Sequence, residues 1–214
     1  MRIAFTGSHG VGKTTVSKIL WRKIEEEIPG SSVVLLGSST RSVLSWGRNP
    51  GDDSECLLSP EENGFQLACI YERRRMMLAK GAINSDFVIS ERWAMDETAY
   101  QLHKARTKAN ELDVWHTLRV CQMEMQWEYD NYWDVVYYIP VTDREVEGDG
   151  TRPTDKDYQL EIDNLLRDGL KVLKKTTKIK IIPTDLGKLD DYFSKEIEAW
   201  KKKKLLKPKN VIEH

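Results

Sequence analysis

Residues 7–14 read Gly-Ser-His-Gly-Val-Gly-Lys-Thr, a G-x-x-x-x-G-K-[ST] pattern placed directly after the apolar run Arg2–Thr6. These residue types suit one chemistry, the holding of a polyphosphate. Glycines let the backbone curl until successive N–H groups face inward and form an anion nest. A helix beginning at Lys13 adds its partial positive end to the same spot. In such a loop Gly7, Ser8, His9, Gly10, Val11, Gly12, Lys13, Thr14 and Thr15 surround the phosphates. Lys13 reaches the β- and γ-phosphates of ATP, and the Thr14 hydroxyl ligates Mg²⁺. His9 occupies a variable position and is assigned no chemistry of its own.

The next residues able to do chemistry stand at the end of a later apolar run. Asp86–Ser90 is followed by Glu91-Arg92-Trp93, then Asp96 and Ala99-Tyr100-Gln101. A carboxylate leaving a strand beside the phosphate loop can hold Mg²⁺ or accept a proton, so Glu91 joins Thr14 as a metal candidate. Arg92 brings positive charge to where negative charge moves. Neither N-K-x-D nor D-x-x-G, the usual companions of this loop in GTPases, occurs in the chain. A third group is the charged stretch Thr142–Thr154, read as a lid that closes over the phosphates, with Arg144 and Arg152 as its cations and Gly148 and Gly150 as its pivots.

For an acceptor, Gly37–Ser42 after the second apolar run contains no acid but does contain Arg41. A phosphate dianion needs such a cation, whose planar fork binds two oxygens at once. Phe65, with Trp46 or Trp93, offers a face for a base, and Gln66 offers an amide for its edge.

The elements that must carry these residues follow from periodicity. Short apolar runs at Arg2–Thr6, Val33–Leu36, Asp86–Ser90, Val135–Ile139 and Ile179–Ile182 read as strands. Helical spacing covers Lys13–Ile28, Pro60–Lys80 (with Gly81 as its stop), Asp96–Lys108, Glu111–Asp130, Asp155–Lys175 and Leu189–Leu205, and a short helix is expected at Arg41–Trp46. Alternation of this kind predicts an α/β fold: a three-layer α/β/α domain around a five-stranded parallel sheet, with ligands at the carboxyl ends of the strands. Residues 1–214 read as a single domain.

Composition removes other classes. The net charge is -1, no apolar run reaches membrane-spanning length, and the three cysteines and four histidines show no zinc-ligand spacing. Reduced thiols and the absence of a signal-peptide pattern predict a cytoplasmic protein. The basic tail, 201–214, reads as a solvated helix end; contact with nucleic acid is the other reading of its lysines.

The loop, the Glu91-Arg92 strand end and Ala99-Tyr100-Gln101 together resemble the thymidylate kinase and deoxynucleoside kinase branch of the P-loop kinases. Thymidylate kinases carry Asp-Arg where this chain has Glu91-Arg92, and deoxynucleoside kinases carry Glu-Arg. The latter also have a Phe-Gln pair, which Phe65-Gln66 resembles. Asp149-Gly150-Thr151-Arg152 is similar to a motif of ribosylnicotinamide kinases. The resemblance implies the P-loop NTPase fold, Mg²⁺ and ATP as phosphoryl donor, and a small-molecule nucleotide as acceptor; it leaves the oligomeric state open, a homodimer included. It makes Lys13, Glu91, Arg92, Arg144 and Arg152 catalytic. It assigns the acceptor to Arg41, Phe65, Gln66, Arg73, Arg92, Trp93 and Tyr100, with Arg73 or Arg74 in the place of a base-facing arginine. The leading expectation is a deoxynucleoside monophosphate kinase. A nucleoside or ribosylnicotinamide kinase, a kinase of modified bases or ends in DNA, and a non-kinase ATPase switch stay open beside it.

Overall fold

The computed structural model describes residues 1–37, 60–107, 112–143, 155–173 and 179–202; the side chains at 60–66, 81–84, 107 and 112–114 also fall outside the description. Strands β1 (Arg2–Thr6), β2 (Val33–Leu36), β3 (Phe87–Ser90), β4 (Val135–Tyr138) and β5 (Ile179–Ile181) form one sheet in the order β2-β3-β1-β4-β5. Every pairing is parallel. Helices α1 (Lys13–Glu27), α2 (Pro60–Asn84), α3 (Ala94–Thr107), α4 (Leu112–Asn131), α5 (Lys156–Leu173) and α6 (Leu189–Lys202) cover it.

The period of two along each strand decides which helices lie where. Ile3, Phe5, Phe87, Ile89, Val135 and Tyr137 face α1 and α6, packing on Val16, Leu20, Ile24, Phe193, Ile197 and Trp200. Their neighbours Ala4, Val88, Val136 and Tyr138 face the other way, onto Trp93, Met95, Tyr129, Ile162 and Leu166 of the second helical layer. Both faces of the sheet are thereby dry, which is why the strands read as unbroken apolar runs. The expected three-layer α/β/α architecture is the one observed.

Among the described residues, two boundaries differ from the sequence reading by more than one residue. Helix α2 runs through Gly81 to Asn84. A helix-interior glycine costs only about 1 kcal/mol relative to alanine, too little to stop a long helix against the sheet. Helix α3 begins at Ala94, two residues earlier than periodicity suggested, because Asp96 accepts a hydrogen bond from the Trp93 N–H (3.4 Å) and fixes the first turn there. The short helix expected at Arg41–Trp46 and most of the charged stretch lie outside the described residues. No helix among the described residues is long and apolar enough to cross a membrane.

Candidate active site

The phosphate loop leaves β1 at Thr6 and enters α1 through Gly12, whose φ of 87° is left-handed and favours glycine. At Gly7 the constraint is space: a Cβ would lie 2.7 Å from the Ile139 carbonyl oxygen and 2.9 Å from Val11 Cγ2. No side chain caps α1, so the N–H groups of its first turn are directed at the loop interior.

Lys13 is buried and donates to the carbonyls of Gly7 (2.5 Å) and Ser8 (2.6 Å). Burial, and then the neighbouring Arg92, push its ammonium down to about 7, against the pull of Asp96 and Glu91. Thr14 Oγ1 donates to Glu91 Oε2 at 2.9 Å. That contact joins residues 77 apart in sequence, and it exists because β3 lies beside β1 and ends level with the loop. Glu91 is itself anchored by its N–H to the Leu36 carbonyl at 3.0 Å.

Asp96, which the sequence reading mentioned without giving it a role, proves central. It is completely buried on α3, with Oδ1 at 4.0 Å from Lys13 Nζ and 3.7 Å from Arg92 Nη1. Burial raises its carboxyl, while Lys13 and Arg92 oppose the rise. Arg92 also lies over the Tyr100 ring, 5.8 Å from its centroid. Burial alone would discourage its charge, but Tyr100 and Asp96 outweigh that and raise it.

Helix α5 seats the loop from the other side. Asp155 Oδ1 accepts from the N–H groups of Asp157 (2.8 Å) and Tyr158 (3.2 Å) and so starts the helix. Gln159 Nε2 then donates to the His9 carbonyl at 2.6 Å, and Tyr158 stacks on the imidazole at 5.4 Å. Nothing in the sequence flagged these contacts, since 150 residues separate His9 from Gln159.

The remaining candidates divide. Thr15 is exposed on α1. Arg73 is half-buried on α2, whereas its neighbour Arg74 is 2% exposed and bonded to Glu97 (2.8 Å) and Glu128 (3.0 Å). The fully buried arginine of this helix is therefore Arg74. Trp93 needs a correction too: it is fully buried against Tyr129 beneath α5, with no open face for a base. Arg41, Arg144 and Arg152 lie outside the described residues, as do the side chains of Phe65 and Gln66.

A glycine-rich loop between β1 and a helix N-terminus, with an acid and an arginine at the end of the adjacent parallel strand, defines the P-loop kinase fold. Solved structures agree. Deoxyadenosine kinase from M. mycoides, with dCMP and dCDP bound, matches 93% of this chain and 100% of its own at a TM-score of 0.60 and 15% identity. Thymidylate kinase from Ehrlichia chaffeensis matches 93% of this chain and 97% of its own, with a TM-score of 0.55 and 20% identity. The NadR protein, in complex with NAD and AMP-PNP, is matched over 92% of this chain and 48% of its own at 0.61 and 15% identity. No curated protein sequence matches. The family model described as "AAA domain" matches residues 2–186, and the chain belongs to that family.

Proposed function

We propose that this protein is an ATP- and Mg²⁺-dependent deoxynucleoside monophosphate kinase, which transfers the γ-phosphoryl group to a monophosphate to give the diphosphate. The observation that carries the phosphotransferase reading is the Thr14–Glu91 hydrogen bond, together with Lys13 and Arg92, which both face Asp96. A hydroxyl and a carboxylate are hard oxygen donors that suit magnesium. Magnesium keeps several waters and takes its other ligands from one or two carboxylates and the substrate phosphates. Magnesium held there would neutralise charge on the β- and γ-oxygens.

The chain's own groups do the rest. The loop N–H groups and Lys13 grip the donor, Lys13 exchanging the carbonyls of Gly7 and Ser8 for phosphate oxygens. Negative phosphate beside Lys13 also restores the full charge that burial discourages. Arg92, poised between Asp96 and Tyr100, faces the charge that moves from donor to acceptor. The likenesses to a deoxyadenosine kinase and a thymidylate kinase support a kinase with a nucleoside or nucleotide acceptor. Arg41, with no acid near it after β2, favours the monophosphate.

The test is Arg41→Ala assayed with a deoxynucleoside and its 5′-monophosphate side by side. Loss of a charge-assisted phosphate contact should raise KM for the monophosphate about 30-fold, roughly 2 kcal/mol, with ATP affinity unchanged. Turnover of the nucleoside alone by the wild type would assign the nucleoside kinase reading instead. Phosphorylation of DNA ends would assign the nucleic-acid reading, and partner-stimulated hydrolysis without a phosphorylated product the switch.

A further inference from the structure

An anion nest turns its N–H groups inward only if its carbonyls are turned outward, and a carbonyl turned into the protein needs a donor there. In the phosphate loop the carbonyls of Gly7 and Ser8 take Lys13, at 2.5 and 2.6 Å. On the reading above, those two bonds are given up when a phosphate arrives. The His9 carbonyl has a different partner: it accepts from Gln159 Nε2 of α5 at 2.6 Å, and Gln159 is 2% exposed.

The partners fix which way the Gln159 amide lies. A carbonyl oxygen can only accept and an ammonium can only donate. Lys156 Nζ donates to Gln159 Oε1 at 3.0 Å, so the amide oxygen faces the ammonium and the amide NH₂ faces His9. Lys156 also donates to the Thr142 carbonyl, beyond the end of β4, at 2.6 Å. Asp155 Oδ1 holds the first turn of the same helix through the N–H groups of Asp157 and Tyr158. Side chains of one helix turn and the chain leaving β4 thus converge on a single peptide of the loop.

A peptide unit is planar and trans, so its N–H points opposite to its C=O. A grip on the His9 carbonyl from the α5 side therefore turns the Gly10 N–H to the other side. That side is the open one: His9 is buried, whereas Gly10 is exposed and has a φ of 74°, which favours glycine. Tyr158 and Gln159 fill the side facing α5, so a polyphosphate approaches from the open one.

We propose that Gln159 is a positioning residue of the phosphate loop, which by holding the His9 carbonyl sets the plane of the 9–10 peptide and aims the Gly10 N–H at the polyphosphate. The inference rests on the phosphate-binding part of the reading above and holds whichever acceptor is used. A contact made equally in ground and transition states governs binding alone, so its loss raises KM for ATP and leaves kcat in place. An amide that served only the fold would behave otherwise: its loss would lower the folded fraction, and with it the apparent kcat, at unchanged KM.

Gln159→Glu separates the two, because it keeps the shape and the contact with Lys156 but has no NH₂ to give His9. Tripolyphosphate with Mg²⁺ is the probe, since it has no base or sugar to bind elsewhere. Its Kd by calorimetry and KM for ATP should both rise about tenfold, with kcat within about twofold of the wild type. Gln159→Met, which buries no charge, should do the same and decides the matter if the glutamate variant fails to fold. The peptide itself can also be watched. His9-Gly10 is the only His-Gly pair in the sequence, so ¹³C-carbonyl histidine with ¹⁵N-glycine isolates one amide signal. Tripolyphosphate should shift that signal in the wild type and move it less in either variant. An unmoved Gly10 signal in the wild type, a wild-type Kd in a folded variant, or a lower kcat at unchanged KM overturns the proposal. If neither variant folds, Gln159 serves the fold and the proposal fails. If the wild type binds tripolyphosphate but phosphorylates no acceptor, the kinase reading falls alone and the Kd values still decide Gln159. If it binds no tripolyphosphate, both fall.

Discussion

Asp96 and Glu97 are consecutive, buried, and each faces an arginine, yet they belong to opposite kinds of charge cluster. Glu97 binds Arg74 at 2.8 Å, and the other arm of Arg74 binds Glu128 at 3.0 Å. The second oxygen of Glu128 accepts from the Ala94 N–H (3.1 Å) and Trp133 Nε1 (3.3 Å). Burial works against the Arg74 charge, but Glu97 and Glu128 more than offset it, and the guanidinium is raised further still. On the other side of α3, Asp96 faces Lys13 and Arg92 at 4.0 and 3.7 Å, and its Oδ1 accepts no hydrogen bond. There burial prevails, and Lys13 is pushed down. One cluster pairs both arms of its arginine with carboxylates and fastens α2, α3 and α4 together. The other holds its charges near one another without satisfying them, which leaves them able to meet a polyanion.

The largest effect expected from this contrast is on stability. Arg74→Ala strands two buried carboxylates and should cost about 3–5 kcal/mol, read by urea denaturation. A loss under about 1 kcal/mol would mean that the Arg74 cluster is no tighter than a surface pair, and the contrast would fail. Lys13→Ala should do the reverse. Turnover should fall by 10²-fold or more, roughly 3 kcal/mol, while the unfolding midpoint stays near wild type or rises, because a poorly compensated buried cation has gone. Full activity in that variant would refute the phosphate-loop assignment.

A smaller effect sharpens the picture of the open site. If Thr14 and Glu91 serve one metal ion, Glu91→Gln and Thr14→Ala should be less than additive in kcat, with a coupling of about 1 kcal/mol. Glu91→Gln alone should depress Mg²⁺-dependent turnover much more than ATP binding. Strictly additive losses would reduce the 2.9 Å contact to a strand-end hydrogen bond.

What could be read in the sequence was local. The eight residues from Gly7 to Thr14 form their anion nest among themselves, needing only a strand before and a helix after. The unbroken apolar runs of β1, β3 and β4 likewise announced a sheet covered on both faces, because burial on each side demands apolar residues at every position. The place of Glu91 at the end of β3, beside the loop, was legible as well, since a strand that pairs with β1 must end near it.

The tertiary structure alone decided how the buried charges were shared out. Arg73 and Arg74 are adjacent and chemically identical, and only the rotation of α2 against α3 and α4 chose Arg74 for burial. The same packing put Trp93 into the core, gave Asp96 two cations, and brought Tyr158 and Gln159 onto His9. Such contacts join residues far apart in the chain, and their existence depends on strand order and helix rotation, which composition and spacing do not specify. A motif carries its own geometry where its atoms are covalent neighbours; a charge acquires its partner only when the chain has folded.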